Sequence, residues 1–173
     1  MNVLELFTRI RTFVFDVDGV LTDGTVQLLP NGEQSRKMNI RDGYALQLAV
    51  KMGYRVAIIS GGRSESVISR LNGLGIKDVY TAITDKANKL EEYVMIHGLK
   101  WDEVLYMGDD IPDYRVMQLT GLPTCPSDAA PEIKSISRYI SPEKGGEGCV
   151  RDVIEKVLKL NDHWLMDEGV ASR

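Results

Sequence analysis

The sequence predicts an α/β fold built on a parallel sheet with helices on both faces. Short apolar segments rich in β-branched and aromatic residues alternate with amphipathic segments of helical periodicity. The clearest helix carries Val150, Val153, Ile154, Val157 and Leu158, which recur at the spacing of one helix face. Strands that alternate with helices imply right-handed crossovers, so the carboxyl ends of all the strands should lie at one edge of the sheet.

Each element has a local signal. Apolar residues in 1–10 predict a short helix, and the strand at 11–15 ends in acidic residues. Two extended arms around Pro30-Asn31-Gly32 predict a projecting β-hairpin over residues 24–40. Further strands are predicted at 55–59, 78–80, 103–107, 122–125 and 138–140. Further helices are predicted at 42–52, 67–74, 86–97, 113–119 and from 150 onward, several of them closed by glycine. Residues 161–173 form a polar tail that we expect to fray, although Trp164 and Leu165 offer apolar docking groups.

Composition limits the possible functions. A chain of 173 residues, 43% of them hydrophobic, suits a single domain over residues 1–173. The net charge of -4 and the absence of a basic cluster disfavour binding to nucleic acid. No apolar run approaches the length of a membrane span, and residues 1–11 lack the pattern of a signal peptide. We therefore expect a cytoplasmic protein, in which the two isolated cysteines should be free thiols.

Polar clusters follow three of the predicted strands. They are Asp16/Asp18, Ser60-Gly61-Gly62 and Gly108-Asp109-Asp110. Because ligand sites of such sheets lie at the carboxyl ends of the strands, these clusters should converge. Carboxylates this close repel unless a cation or a shared proton intervenes, and oxygen ligands without a His or Cys cluster favour Mg²⁺. For Asp16 and Asp18 alone, a polar turn remains an equally good explanation.

Four motifs in order resemble the haloacid dehalogenase-like phosphohydrolases, which have a Rossmann-like sheet. They are Asp16-Val17-Asp18-Gly19-Val20-Leu21-Thr22, Ile58-Ile59-Ser60, Thr84-Asp85-Lys86 and Gly108-Asp109-Asp110-Ile111-Pro112-Asp113. The resemblance implies that Asp16 is the nucleophile and Asp18 the general acid and base. It implies that Ser60 and Lys86 bind the phosphoryl oxygens, and that Mg²⁺ is held by Asp16, Asp109 and the backbone carbonyl of Asp18. Asp110 and Asp113 are expected to orient Lys86 or water on the metal.

Two of these residues have ordinary structural alternatives. A serine at a strand end, such as Ser60, is often a helix N-cap. Lys86 competes with Lys89 for the role of the phosphate-binding lysine. These alternatives remain open from the sequence.

The spacing of the motifs leaves no room for a cap domain. The intervals 23–60 and 60–86 hold only the hairpin, two helices and two strands. More specific segments resemble the 3-deoxy-D-manno-octulosonate 8-phosphate phosphatases: Leu21-Thr22-Asp23-Gly24, Asn39-Ile40-Arg41-Asp42-Gly43, Ser60-Gly61-Gly62-Arg63 and residues 144–151. That family is homotetrameric, which implies that the hairpins pack together and that the glycine-rich segment at 144–151 reaches a neighbour's active site. Cys149 departs from the alanine expected there and should still pack.

The implied substrate is an acidic sugar phosphate. Residues expected to line its site are Asp23, Arg41, Asp42, Gly61, Arg63 and Arg151, with Lys144 a further candidate for its carboxylate. For the basic residues an ordinary surface role is equally compatible with the sequence. A nine-carbon keto-deoxy or N-acylneuraminate 9-phosphate is the alternative substrate, and an inactive oligomerisation domain is the non-enzyme alternative. Intact Asp16, Asp18, Lys86 and Asp109 argue against the latter.

Overall fold

The computed structural model describes residues 1–173 and contains a six-stranded sheet, a separate two-stranded hairpin and seven α-helices. The strands are β1 Thr12–Phe15, β2 Gln27–Leu28, β3 Gln34–Ser35, β4 Arg55–Ile59, β5 Asp78–Tyr80, β6 Val104–Met107, β7 Leu122–Cys125 and β8 Tyr139–Ile140. The helices are α1 Val3–Arg9, α2 Ile40–Lys51, α3 Glu65–Gly73, α4 Lys86–His97, α5 Tyr114–Met117, α6 Pro131–Ile136 and α7 Cys149–Leu160.

The large sheet is parallel throughout, with the strand order β5-β4-β1-β6-β7-β8. The central strand β1 pairs with β4 on one side and β6 on the other, and Phe15 stands level with Ile58 and Met107. The loops that follow these three strands therefore emerge side by side. This architecture confirms the predicted parallel α/β sheet.

Both faces of the sheet are covered, which explains why β1 is apolar from Phe13 to Phe15. Phe13 and Phe15 face a core cluster that includes α2 and α7, whereas Val14 faces a second cluster that includes α4. All four residues of β1 are buried. Burying such side chains on two faces fixes the position of the strand end, and hence of the residue that follows it.

The hairpin is shorter than predicted and stands apart from the large sheet. Its two strands are antiparallel, with Gln27 opposite Ser35 and Leu28 opposite Gln34. Gly32 in its turn has a φ of +85°, a conformation that glycine adopts at little cost. Val26 and Leu28 are exposed. An isolated two-stranded hairpin is marginally stable in water, so this element needs further contacts.

The chain has no cap domain, as predicted. Only the hairpin and α2 separate β1 from β4, and only α3 and β5 separate β4 from α4. No helix combines the length and hydrophobicity needed to cross a membrane.

The tail does not fray as expected, because it packs along α2. The indole of Trp164 meets the ring of Tyr44 edge-on at 6.1 Å between centroids, and Asp167 forms an ion pair with Lys51. Gln47 Nε2 donates to the carbonyl of Ala171 at 2.7 Å. Apolar stacking and polar bonds distributed over ten residues order a segment whose polar composition suggested fraying.

Candidate active site

The site begins where β1 ends. Asp16 is 7% exposed, and its backbone N–H still donates to Met107 O on β6 at 3.1 Å. Its Oδ1 accepts a hydrogen bond from Val17 N at 2.7 Å. The sheet therefore fixes the backbone of Asp16, and the local turn fixes one carboxylate oxygen. The other oxygen, Oδ2, remains available for chemistry.

A buried ionic network holds Asp16 from the other side. Lys86 Nζ, at the first position of α4, lies 3.1 Å from Asp16 Oδ1 and 2.7 Å from Asp113 Oδ1. The Tyr106 hydroxyl donates to the same Asp113 oxygen at 2.8 Å, and Asp109 N donates to Asp113 Oδ2 at 3.1 Å. Asp113 thus joins the lysine to the loop after β6. It is the predicted supporting residue for Lys86.

Lys86, and not Lys89, reaches the cleft. Lys89 Nζ pairs with Glu92 at 2.9 Å and lies 4.2 Å from the ring centroid of Tyr80. Lys86 lies three positions earlier, on the first turn of α4, and points its ammonium group at Asp16. The geometry resolves the choice between the two lysines.

The carboxylates in this network are costly to ionise together. Burial, with Asp113 beside it, raises the pKa of Asp16 well above its usual range despite the opposing Lys86. Burial, Asp113 and Asp110 likewise raise the pKa of Asp109 to about 7. Burial opposes the charge on Lys86, but Asp113 and Asp16 outweigh it and raise the pKa of the ammonium group. The site therefore holds more negative charge than one lysine balances.

That excess of charge fits a divalent cation. Carboxylate oxygens of Asp16, Asp109 and Asp113 lie within 4.8 Å of one another, and the donor set is entirely oxygen, as Mg²⁺ prefers. Asp113 already accepts three hydrogen bonds, from Lys86, Tyr106 and the Asp109 backbone. Asp16 and Asp109 are therefore the side chains best able to bind the ion, and Asp113 is better suited to support them.

Close packing brings the two acidic loops together. A Cβ at Gly19 would lie 1.9 Å from Asp109 Oδ2, and the φ of Gly19 is +84°. A Cβ at Gly108 would lie 2.4 Å from the Asp113 Cβ. Glycine at position 19 therefore lets Asp109 approach the loop of Asp16, and glycine at position 108 leaves room for the side chain of Asp113.

Ser60 lies at the end of β4 and borders the same cleft. It is 3% exposed, and its backbone N–H donates to Tyr80 O at 2.9 Å. The N-cap of α3 is Ser64, whose hydroxyl accepts from Val67 N at 3.5 Å. The capping alternative for Ser60 is therefore wrong, and its hydroxyl faces the cleft.

The resulting cleft is open and has a volume of about 280 Å³. Its lining includes every predicted catalytic and metal-binding residue: Asp16, Asp18, Ser60, Lys86 and Asp109. It also includes Gly61, predicted to bind substrate, and the predicted supporting residues Asp110 and Asp113. Asp110 is exposed and accepts from Ile111 N at 2.8 Å, which places it at the rim. Residues from four separate stretches of the chain thus meet at one point.

Asp18 has a partner that the sequence analysis missed. Arg36, just after β3, donates from Nε to Asp18 Oδ1 at 2.6 Å. Arg36 and Asp18 also border a small cavity next to the cleft, together with Ser60 and Arg63. In the sequence, Arg36 is one of two adjacent basic residues, Arg36-Lys37, within the predicted hairpin. Its position at the base of the hairpin was the signal available.

Several predicted substrate-binding residues lie elsewhere. Arg41 and Arg151 line a different groove, beside Glu143 and Glu155. Asp42 is buried and accepts from Arg151 N at 2.9 Å, so it ties α2 to α7. Their neighbours in sequence suggested the cleft, but Arg41 and Asp42 lie on the first turn of α2 and Arg151 lies on the first turn of α7, and the groove that Arg41 and Arg151 line is separate from the cleft.

Asp23 and Arg63 lie nearer to the cleft than Arg41 and Arg151 do. Asp23 is exposed at the start of the hairpin, where it accepts from Thr25 N at 2.9 Å. Arg63 is 67% exposed, pairs with Glu65 at 2.8 Å and lines the small cavity beside Asp18. Of the predicted basic residues, Arg63 is the one that borders this region.

The glycine-rich segment at 144–151 packs against the loop that follows Asp16 in its own chain. Gly146 N donates to Val20 O at 3.0 Å. A Cβ at Gly145 would lie 2.0 Å from Gly19 O. Cys149 is buried, and its thiol donates to Val20 O at 3.3 Å, so the cysteine packs as expected.

Comparison with known proteins gives a consistent result. Residues 72–154 match the haloacid dehalogenase-like hydrolase family. The chain is 34% identical to a 3-deoxy-D-manno-octulosonate 8-phosphate phosphatase of Yersinia pestis over 161 residues, which cover 93% of this chain and 86% of the relative. An Escherichia coli phosphatase of the same name is also 34% identical, over 91% of this chain and 84% of its own length.

Solved structures of such phosphatases share the whole fold. The crystal structure of the Yersinia pestis phosphatase superposes with a TM-score of 0.92 at 33% identity, covering 99% of this chain and 91% of that one. A Moraxella catarrhalis phosphatase, crystallised with a magnesium ion, a phosphate ion and a KDO molecule, gives 0.90 at 30% identity over 93% of both chains. The chain is therefore a haloacid dehalogenase-like hydrolase and belongs to the family of the 3-deoxy-D-manno-octulosonate 8-phosphate phosphatases.

Proposed function

We propose that this protein is a Mg²⁺-dependent phosphatase that hydrolyses 3-deoxy-D-manno-octulosonate 8-phosphate to the free sugar acid and phosphate. The observation that carries the proposal is the convergence of Asp16, Asp18, Ser60, Lys86 and Asp109 on one uncapped cleft. Relatives of that name, similar over nearly the whole chain, support the choice of substrate.

In the first step, Asp16 Oδ2 attacks phosphorus and the bond from phosphorus to the sugar oxygen breaks. Asp16 Oδ1 is held by Val17 N and Lys86, which leaves Oδ2 as the attacking oxygen. Asp18, in its protonated form, gives its proton to the departing sugar oxygen. The products are the free sugar acid and an aspartyl-phosphate on Asp16.

In the second step, water attacks the phosphorus of the aspartyl-phosphate. Asp18, now ionised, takes a proton from the water as the bond between phosphorus and Asp16 breaks. Phosphate leaves, and both carboxyl groups return to their starting states. One residue thus serves as acid and then as base.

Lys86 and Ser60 bind the phosphoryl oxygens during both steps. The ammonium group of Lys86 already lies 3.1 Å from the nucleophile, so it can neutralise charge that spreads over the equatorial oxygens. Asp16, Asp109 and the Asp18 backbone carbonyl would hold Mg²⁺, which would supply further positive charge and lower the repulsion between carboxylate and phosphate. Asp113 and Asp110 support this arrangement, Asp113 through its bond to Lys86.

Specificity for the sugar acid depends on groups around the open cleft. We propose that Arg63, Gly61 and Asp23 contact the sugar, with Arg63 binding its carboxylate. Gly61 lines the cleft, Arg63 lines the adjoining cavity, and Asp23 directly precedes Gly24, which lines the cleft. We assign Arg41, Asp42 and Arg151 no role in the cleft of their own chain. A nine-carbon acid 9-phosphate is the alternative substrate, because no cap limits the length of the sugar.

We further propose that the chain assembles as a homotetramer in the cytoplasm. Exposed Val26 and Leu28 on a two-stranded hairpin support contacts between copies. Both cysteines are free and buried, which is compatible with a reducing compartment. A neighbouring hairpin would supply the wall that the missing cap does not.

The test is a panel of eight- and nine-carbon sugar-acid phosphates assayed with Mg²⁺ and with a chelator. We expect Mg²⁺-dependent phosphate release, fastest with the eight-carbon acid, and none from Asp16→Asn, which keeps the shape of the side chain. Faster turnover of a nine-carbon acid would overturn the choice of substrate. An active Asp16→Asn variant would overturn the covalent mechanism. Light scattering on the same sample should give a tetramer, and a fully active monomer would refute the shared wall.

A further inference from the structure

The guanidinium group of Arg36 connects the hairpin to the acid/base residue. Its Nε lies 2.6 Å from Asp18 Oδ1 and its Nη2 lies 3.4 Å from Asp18 Oδ2, across 18 positions of sequence. The remaining nitrogen, Nη1, donates to the backbone carbonyl of Gln34 at 3.3 Å. All three nitrogens are therefore engaged, and two of them face one carboxylate.

This pair is unlike the exposed ion pairs of the chain. The Arg36 side chain is only 8% exposed, whereas the Lys37 side chain beside it is 89% exposed. Gly62 closes the space around the pair, since a Cβ there would lie 3.3 Å from Asp18 Oδ2 and 3.6 Å from Arg36 Nη2. An arginine in such a restricted space keeps a fixed orientation, which an exposed lysine does not.

Asp18 needs such a partner because its surroundings hold it weakly. Its side chain is 38% exposed, and it is followed by Gly19 in a glycine conformation. Asp16, by contrast, is held by the sheet, by Val17 N and by Lys86. Proton transfer requires the carboxyl group within hydrogen-bond distance of the sugar oxygen, and a freely rotating side chain spends little time there.

We propose that Arg36 is a positioning residue for both proton transfers, fixing the carboxyl group of Asp18 between the nucleophile and the leaving oxygen. The inference rests on the proposed function. The guanidinium group gives up no proton: the proton moves from Asp18 to the sugar oxygen in the first step, and from water to Asp18 in the second. The forked contact suits this role because its two arms are unequal. Nε holds Asp18 Oδ1 at 2.6 Å, whereas the 3.4 Å contact from Nη2 leaves Oδ2 able to carry the proton that passes to the sugar oxygen.

The proposal also gives the hairpin a catalytic function. Arg36 follows β3 directly and is anchored to Gln34 O within that strand. The position of the acid/base residue therefore depends on the position of the hairpin. In an uncapped enzyme, this is a route by which contacts made by the hairpin affect chemistry in the cleft.

The experiment compares Arg36→Gln and Arg36→Lys with Lys37→Gln, which removes the same charge from the adjacent, exposed position. Single-turnover rate constants and steady-state KM values are measured on the eight-carbon sugar-acid phosphate, which is an alkyl phosphate, and on p-nitrophenyl phosphate, whose leaving group needs little protonation. We expect Arg36→Gln to slow cleavage of the alkyl phosphate at least about tenfold, with KM changed by less than about threefold. Cleavage of p-nitrophenyl phosphate should slow by less than about threefold, and Arg36→Lys should recover part of the loss.

The possible outcomes distinguish failure of the role inferred for Arg36 from failure of the proposed phosphatase function. If Arg36→Gln slows both substrates equally, or raises KM alone, Arg36 binds phosphate or sugar and the inference fails. If the wild-type chain cleaves neither sugar-acid phosphate, the proposed function itself fails and the inference with it. Thermal melting and light scattering of each variant detect lost folding or assembly. Should Arg36→Gln not fold, Arg36→Lys decides the question, because it keeps the charge and loses only the fork.

Discussion

Replacing Tyr106 by phenylalanine removes a single oxygen atom beneath the cleft and tests how Lys86 is held. The Tyr106 hydroxyl donates at 2.8 Å to Asp113 Oδ1, the atom that also accepts from Lys86 at 2.7 Å. Tyr106 is fully buried. Burial, together with Asp113, raises the pKa of the phenol well above its usual range, so it remains a neutral donor at every working pH. The substitution therefore removes one bond to a buried carboxylate and nothing else.

The magnitude follows from the number of bonds that Asp113 keeps. A hydrogen bond to a charged group contributes roughly 1.5–3 kcal/mol to the free energy of unfolding. Asp113 still accepts from Lys86 and from Asp109 N, which favours the lower half of that range, about 1.5–2 kcal/mol. For a chain of this length the melting temperature should fall by about 3–8 °C. Because Asp113 also orients Lys86, kcat should fall by about three- to tenfold and inhibition by phosphate should weaken.

Denaturant unfolding and steady-state kinetics on Tyr106→Phe check both expectations. Tyr114→Phe is the control, since it removes the same atom from a half-buried tyrosine that packs on the same core cluster. An unfolding free energy within about 0.5 kcal/mol of wild type would show that the bond to Asp113 contributes nothing. A lower stability with unchanged kcat would show that Asp113 holds Lys86 without help from the tyrosine.

Three further predictions concern the glycine contact, a buried acid and the metal. Gly19→Ala should abolish Mg²⁺ binding measured by calorimetry, because its Cβ would lie 1.9 Å from Asp109 Oδ2. Retained affinity would contradict this steric explanation. The control is Gly53→Ala, which has a positive φ and open space around it and therefore tests the effect of the backbone conformation alone. Burial raises the pKa of Asp42 to about 6, so the stability linked to its protonation is complete below about pH 4 and is lost as pH rises through about 6. Asp42→Asn should therefore be more stable than wild type at pH 8, by up to about 3 kcal/mol, with the difference vanishing near pH 4; a difference independent of pH would refute this. Mg²⁺ affinity should weaken as pH falls through about 7, because Asp109 must lose its proton to bind the ion; calorimetry at three pH values checks this, and constant affinity contradicts it.

The sequence was most informative where local pattern and strand topology act together. Asp16, Ser60 and the Gly108-Asp109 pair each follow a buried strand, and parallel pairing brings such strand ends together whatever their separation in sequence. The family motif pointed to Lys86, but Lys89 could be excluded only once the direction of α4 was known. The convergence was therefore predictable from topology, whereas the choice of lysine depended on the resemblance and needed the structure to decide it.

Arg36, Tyr106 and Arg41 illustrate what pattern alone does not reveal. Arg36 reaches Asp18 because of the path of the chain after β3, and no periodicity encodes that path. Tyr106 lies within an apolar strand, and the hydrophobic pattern of that strand gives no indication of a role for its hydroxyl group. Arg41 adjoins residues that resemble the family, yet it begins a helix that leads away from the cleft. Neighbours in sequence indicate a side chain's direction poorly wherever a turn intervenes.

The contacts of the glycine-rich segment with the loop that follows Asp16 have a consequence for biosynthesis. Val20 lies 129 positions before Cys149, which donates to its carbonyl, and Gly146 donates to the same oxygen. Contacts so distant in sequence form late in folding, because a long loop must close before they form. A ribosome-bound chain that has emerged only as far as β7 thus carries every catalytic side chain but lacks the support for its first loop. Catalytic competence should appear abruptly, near the end of translation, and not in proportion to the length synthesised.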